Sequence, residues 1–247
     1  LLVACREPVK PHPSVAMLSP AAPRALPAPS KPPPPPEPPP PPAPAQVERA
    51  EVPHDSPASY VRGAPGTHAH VVFMPGLCSN AYAYLLSFPE AARAHGGIVA
   101  IDGDEPCPGV KGFHSFSWNP VLQRKRHEAA IAASGVAMPK EGLTLVGYSA
   151  GASIAELMQQ RWPEIFTHLV LIAPPGDPSP ARLRHAHAVV AMSCSYDVPW
   201  RMKTAARALE KIDVPATYLE MPKCTHGNVA EGERVFGEAF DWLDARP

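Results

Sequence analysis

No stretch of this sequence is apolar for long enough to cross a bilayer: the longest runs, such as residues 71–74 and 169–173, fall far short of the roughly 20 residues a spanning helix needs. The folded part is therefore not expected to be an integral membrane protein. No basic tract is present, and 22 Lys+Arg against 23 Asp+Glu leave a formal net charge of −1, which argues against a nucleic-acid partner. Cysteine is scarce, five in 247 residues with no Cys-x-x-Cys pair, so neither a zinc ribbon nor a thioredoxin-like motif is expected. The glycine signatures of common nucleotide sites are missing too. No Gly-x-Gly-x-x-Gly follows the first strand-like run and no Gly-x-x-x-x-Gly-Lys occurs, so dinucleotide and P-loop readings fall away and no cofactor is expected.

Proline is what the chain has in excess. Of its 36 prolines, 21 lie in the first 65 positions. Residues 6–57 read as a disordered Pro-rich tether, while 58–247 are ample for one domain with a sizeable core. Two runs of five prolines flank Glu37, and such a tract offers no amide donors to a helix or sheet and favours polyproline II. At about 3.1 Å per residue the tether would reach on the order of 100 Å. A docking motif for Pro-binding modules is the competing reading.

The sequence opens Leu1-Leu2-Val3-Ala4-Cys5 without an initiator Met, so the numbering is expected to start inside a longer precursor. Leu2-Val3-Ala4-Cys5 resembles a bacterial lipobox, in which an apolar pair and a small residue precede a Cys that is lipidated. That resemblance implies that residues 1–5 are the end of a lipoprotein signal, with Cys5 as lipid anchor. The protein would then sit in the cell envelope or periplasm, touching a membrane through the lipid alone. Setting Cys5 aside leaves Cys78, Cys107, Cys194 and Cys224, an even set that suits an oxidising space.

From about residue 58 the apolar pattern changes period repeatedly. Short β-branched runs at 70–74, 98–102, 143–148, 168–173, 188–193 and 216–221 read as buried parallel strands, and 59–62 as an additional edge strand. Helical stretches lie between them, near 81–94, 120–134, 151–161, 201–211 and 229–244. Ile154, Leu157, Met158 and Trp162 share one helix face and Phe236, Phe240 and Leu243 another, which marks both stripes as core. The alternation implies an α/β fold with a mostly parallel, doubly wound sheet, whose ligands bind at the carboxyl ends of the strands.

One pentapeptide carries chemistry. Gly147-Tyr148-Ser149-Ala150-Gly151 follows a strand and leads into a helix, the context of a Gly-x-Ser-x-Gly nucleophile elbow. A turn that tight strains the Ser backbone and leaves no room for larger side chains two residues to either side. A Ser hydroxyl is a weak nucleophile and needs a His to take its proton and a carboxylate to orient that His. Both must lie at the carboxyl edge of the sheet. His168, His185 and His187 precede their strands, and His68 and His70 flank the start of the first clear one. His114 reads as pocket lining, which leaves His226, after the last strand. For the acid, Asp197 follows the strand at 188–193, Asp177 is its rival, and Asp213 sits at the wrong edge.

With Ser149, Asp197 and His226 in that order, the chain from about Tyr60 onward resembles the α/β-hydrolase superfamily. The resemblance implies an oxyanion hole made by the backbone amides of Ala150 and Leu77, with Cys78 as the alternative to Leu77. It also implies disulfides Cys78–Cys107 and Cys194–Cys224, because the strands preceding each pair are neighbours in this fold. Four free thiols are the alternative, and no metal site is expected. Only about 14 residues separate the strand ending at Ala173 from the next, too few for a helical cap, so an open site is expected. Phe113, Phe116, Trp118 and Trp200 fall in loops at the active edge, as a substrate wall or as ordinary packing. The expected function is an envelope-anchored serine hydrolase cleaving carboxylic esters through an acyl-enzyme. A thioesterase or serine peptidase, or a tethered non-catalytic binding module, are the alternatives.

Overall fold

The computed structural model describes residues 43–247. Cys5, the lipobox-like segment and residues 6–42 of the Pro-rich stretch lie outside the described residues. The elements run β1 (Glu48–Ala50), β2 (Ala58–Arg62), β3 (Val71–Met74), α1 (Ala81–Leu85), α2 (Pro89–Ala94), β4 (Gly97–Ala100), β5 (Glu105–Pro106), β6 (His114–Ser115), α3 (Pro120–Ser134), β7 (Leu143–Tyr148), α4 (Ala150–Arg161), β8 (Phe166–Ile172), α5 (Pro180–Leu183), β9 (Ala188–Cys194), α6 (Pro199–Glu210), β10 (Ala216–Met221) and α7 (Gly232–Asp244). Eight strands form one sheet in the order β1-β2-β4-β3-β7-β8-β9-β10. The β1–β2 and β2–β4 pairings are antiparallel and the rest are parallel, so six strands end at the same edge.

Period-two alternation explains why both faces of the sheet are covered. Val71 and Phe73 pack with Phe88, Phe236 and Phe240, under α2 and α7, whereas Val72 and Met74 pack with Ile154, Met158 and Leu209, under α4 and α6. The apolar face of α7 places Val235, Phe236, Ala239, Phe240 and Leu243 inside, and the Phe236 ring stacks on Phe88 at 3.7 Å between centroids. The stretch expected as one helix over 81–94 is two. Pro89 opens α2 without an amide to continue the preceding turn, and Phe88 before it leaves the helical region at φ −152°.

The expected domain boundary at residue 58 is too late. Within the stretch read as tether, β1 pairs with β2 in the register Glu48 to Tyr60, and Val52 is buried beside Tyr60, Ile101 and Ala130. Asp55 accepts from the Arg126 guanidinium at 2.7 Å, and together with Asp104 at 3.8 Å it compensates this buried cation of α3. Residues from Ala43 onward therefore belong to the same compact unit as the sheet. Residues 59–62 belong to β2, which is covered by β1 and is not an edge strand. Residues 173–187 between β8 and β9 contain only the four-residue α5, and no cap is inserted there.

Candidate active site

Ser149 stands at the corner between β7 and α4 with φ 52° and ψ −118°, a conformation that costs a residue with a Cβ about 1–3 kcal/mol. The glycines beside it are required for space and not for left-handed backbone. A Cβ on Gly147 would lie 2.4 Å from Cα of Ala152, and one on Gly151 would lie 2.3 Å from the Met74 carbonyl oxygen. Hydrogen bonds anchor the corner on both sides, from the Ser149 amide to the Ile172 carbonyl at 2.7 Å and from the Ala152 amide to the Ser149 carbonyl at 3.0 Å. The loop after β3 closes against it, since a Cβ on Gly76 would approach the Ser149 Cβ to 3.3 Å.

The loops after β9 and β10 bring the other two side chains to this corner. His226 Nε2 lies 2.9 Å from Ser149 Oγ, and His226 Nδ1 lies 2.7 Å from Asp197 Oδ2. With Nδ1–H donating to the carboxylate, Nε2 is free to accept the Ser149 hydroxyl. Asp197 is nearly covered while the imidazole is 48% exposed, so the carboxylate is shielded and the imidazole is open to solvent. The rival acid Asp177 faces solvent and pairs with Arg201 at 3.5 Å. His114 lines a different hollow of about 830 Å³ with Asp55, Asp104 and Arg126, to which none of Ser149, Asp197 and His226 contributes.

Both expected disulfides are formed, with Cα separations of 5.6 Å for Cys78–Cys107 and 5.0 Å for Cys194–Cys224. The second ties the loops of Asp197 and His226 together. Backbone contacts reinforce it, from the Tyr196 amide to the Cys224 carbonyl at 3.0 Å and from the Lys223 amide to Ser195 Oγ at 2.8 Å. The two candidate oxyanion donors are placed differently. Ala150 opens α4, where an amide has no intrahelical acceptor and the positive end of the helix dipole adds to its field. Leu77 follows Gly76 in the loop against Ser149, and among the described residues its amide has no protein acceptor either.

The aromatic wall divides. Phe113 borders a cleft of about 360 Å³ that includes Cys78, Ser79 and Gly227, and Trp118 borders another of about 330 Å³ with Ser153 and Pro175. Trp200 is 70% exposed on the first turn of α6 and lines neither. Phe116 is not part of the wall. It is 3% exposed and packs with Val72, Met74 and Leu145, because the β6 hairpin folds it back onto the sheet. Two residues outside the expected set reach the site, Tyr148 and Tyr84, whose hydroxyls contact the backbone at Gly227. The sequence signal for Tyr148 was its place inside the pentapeptide, where the turn's steric demand points to the glycines alone.

No protein-family model matches the chain, and no curated protein sequence does. Solved structures do. A predicted CIB-like hydrolase from Thermoplasma acidophilum superposes with a TM-score of 0.58 at 12% identity, over 81% of this chain and 98% of that one. A hyperthermophilic esterase from the archaeon Pyrobaculum calidifontis gives 0.58 at 16% identity, over 81% and 85%. A fluorophosphonate-binding serine hydrolase from Staphylococcus aureus gives 0.56 at 11% identity, over 81% and 99%. Likeness at this level of identity speaks to architecture, and together with the sheet order and the strained corner after β7 it makes this chain a protein of the α/β-hydrolase fold.

Proposed function

We propose that the chain is a serine hydrolase that cleaves carboxylic esters through an acyl-enzyme on Ser149. The observation that carries this reading is the unbroken relay from Ser149 Oγ to His226 at 2.9 Å and from His226 to Asp197 at 2.7 Å. Ser149 Oγ bonds to the ester carbonyl carbon as its proton passes to His226 Nε2, and the carbonyl oxygen becomes an oxyanion facing the amides of Leu77 and Ala150. Collapse of that adduct breaks the ester C–O bond, and the departing alcohol takes the proton from His226. Water then repeats the sequence, giving a proton to His226, releasing the carboxylic acid and returning the proton to Ser149. Asp197 stays ionised and steadies the imidazolium in both halves.

Absence of a cap between β8 and β9 and the half-exposed imidazole favour accessible or extended esters over small ones sealed from solvent. The similar solved structures described as esterases favour an ester over a thioester or peptide substrate. The lipobox-like Leu2-Val3-Ala4-Cys5 and the proline tract favour anchoring to the cell envelope by a lipid on Cys5, with the catalytic domain held clear of the membrane.

The test uses the full chain with p-nitrophenyl acetate, longer p-nitrophenyl esters and a fluorophosphonate probe. The expected result is ester turnover and covalent labelling, both abolished by Ser149→Ala. An unmodified protein that neither labels nor turns over any ester sinks the proposal, and cleavage of peptides without esters replaces it with a peptidase. For the anchor, Cys5→Ser is expected to move the protein from the membrane to the soluble fraction.

A further inference from the structure

The imidazole at the proposed site is carried by a loop, residues 222–231, with no helix or strand of its own. On one side the Cys194–Cys224 disulfide braces that loop. On the other side, after His226, the bracing comes from two buried phenols. The Gly227 amide donates to the Tyr148 hydroxyl at 2.9 Å, the same hydroxyl donates to the Asn228 carbonyl at 3.3 Å, and the Tyr84 hydroxyl donates to the Gly227 carbonyl at 3.3 Å. The two rings stack at 5.1 Å, and the Tyr148 ring meets His226 edge-on at 5.6 Å. Tyr148 is fully buried, so its ring is fixed by packing and its hydroxyl is presented to the Gly227 amide from a rigid position.

Tyr148 also adjoins Ser149 in the chain and is the last residue of β7. One rigid side chain therefore references the imidazole to the same strand that presents the nucleophile. Gly227 takes φ 89° at this point, a left-handed conformation that glycine adopts without Cβ strain and that turns the chain directly after the amide bonded to the phenol. Burial drives the Tyr148 hydroxyl well above the ordinary phenol range, so it stays protonated and able to donate.

We propose that Tyr148, assisted by Tyr84, is a positioning residue that holds the His226 loop in register with Ser149 through the backbone of Gly227 and Asn228. This inference rests on the hydrolase reading above. Tyr148→Phe keeps the ring, its stacking and its packing and removes the hydroxyl alone. Freed from that tie, the loop lets the imidazole drift from Ser149 Oγ, and misplacement by about 1 Å costs on the order of 100-fold in rate.

The experiment compares the full chain with Tyr148→Phe and Tyr84→Phe, using p-nitrophenyl acetate and the fluorophosphonate probe. Tyr148→Phe is expected to lower kcat by about 10- to 100-fold with KM within twofold, and to slow fluorophosphonate labelling in step. Hydrogen exchange at Gly227 is expected to accelerate while exchange in β7 and α4 does not. Tyr84→Phe, which leaves the Tyr148 hydroxyl in place, is expected to lower kcat about threefold and carries the test if the first variant does not fold. A kcat within twofold of the parent for the folded variants, or a loss confined to KM, overturns the proposal. A parent that neither labels nor hydrolyses is a different result, because it removes the hydrolase reading itself.

Discussion

Histidine meets carboxylate at both edges of the sheet. At the carboxyl edge His226 pairs with Asp197, while at the amino edge the Asp244 carboxylate of α7 accepts from His95 at 2.8 Å and lies 3.4 Å from His70. The amino edge even has a hydroxyl against an imidazole, since Thr167 Oγ1 and His168 Nδ1 are 2.8 Å apart. Distances alone would not tell the two apart. Backbone and surroundings do: Thr167 is buried within β8, whereas Ser149 is thrust out at the end of β7 at a strained corner with positive φ beside amides without acceptors. On the proposed hydrolase reading the partners of His226 prepare a nucleophile, whereas those of His70 and His95 fasten a helix.

The amino-edge group behaves as a clasp. Burial opposes ionisation of Asp244, yet the hydrogen bonds from His70 and His95 hold its carboxyl well below the ordinary range. The bond to Asp244 in turn raises His70, partly offset by burial. A raised His contributes fully below its unfolded value of about 6.5 and loses that contribution as pH rises through its folded value. A depressed carboxylate contributes above its unfolded value of about 3.9 and loses it as pH falls. The clasp is therefore strongest between about pH 4 and 6.5.

The sharpest way to break the contrast is to neutralise one carboxylate at each edge. Asp197→Asn is expected to lower kcat on p-nitrophenyl acetate by about 10,000-fold, because the amide no longer enforces the tautomer or steadies the imidazolium, while Asp244→Asn leaves kcat within twofold. Similar losses from both, or none from Asp197→Asn, would show that the edges do not differ as described. Covalent bracing offers a smaller effect. Replacing Cys194 and Cys224 together by Ser opens a link spanning 30 residues and is expected to cost about 2–4 kcal/mol in urea unfolding. It should also lower kcat, since the same link holds the loops of Asp197 and His226. The smallest effect belongs to the clasp. Asp244→Asn is expected to cost about 1 kcal/mol, discounted because the carboxylate is nearly half exposed. That difference should shrink on either side of the pH 4–6.5 window, and a pH-independent loss would mean that the helix is held by packing alone.

Much of the site could be read from the sequence because its constraints are local. The elbow must fit within five residues, and His226 and Asp197 follow strands whose apolar runs are plain. For Phe116 the sequence leaves wall and packing open, and the structure shows packing, because its burial depends on a hairpin of two-residue strands, too short to leave a periodic pattern. The boundary at 58 was misread because Pro44, Pro53 and Pro57 resemble the tract before them, while the features that order this stretch, β2 and Arg126, are contributed by distant residues. Tyr148 and Tyr84 escaped notice for the same reason, their partners lying 79 and 143 residues away.

By itself the sequence determined the alternation of strand and helix, the elbow and the placement of chemistry after strands, since periodicity, glycine sterics and chain direction are properties of neighbouring residues. Tertiary structure alone decided that Phe116 packs into the core, that Tyr148 and Tyr84 meet the His226 loop, and that β1 joins the sheet. Those outcomes depend on contacts between residues far apart in the chain, and no local pattern encodes the distance between two loops.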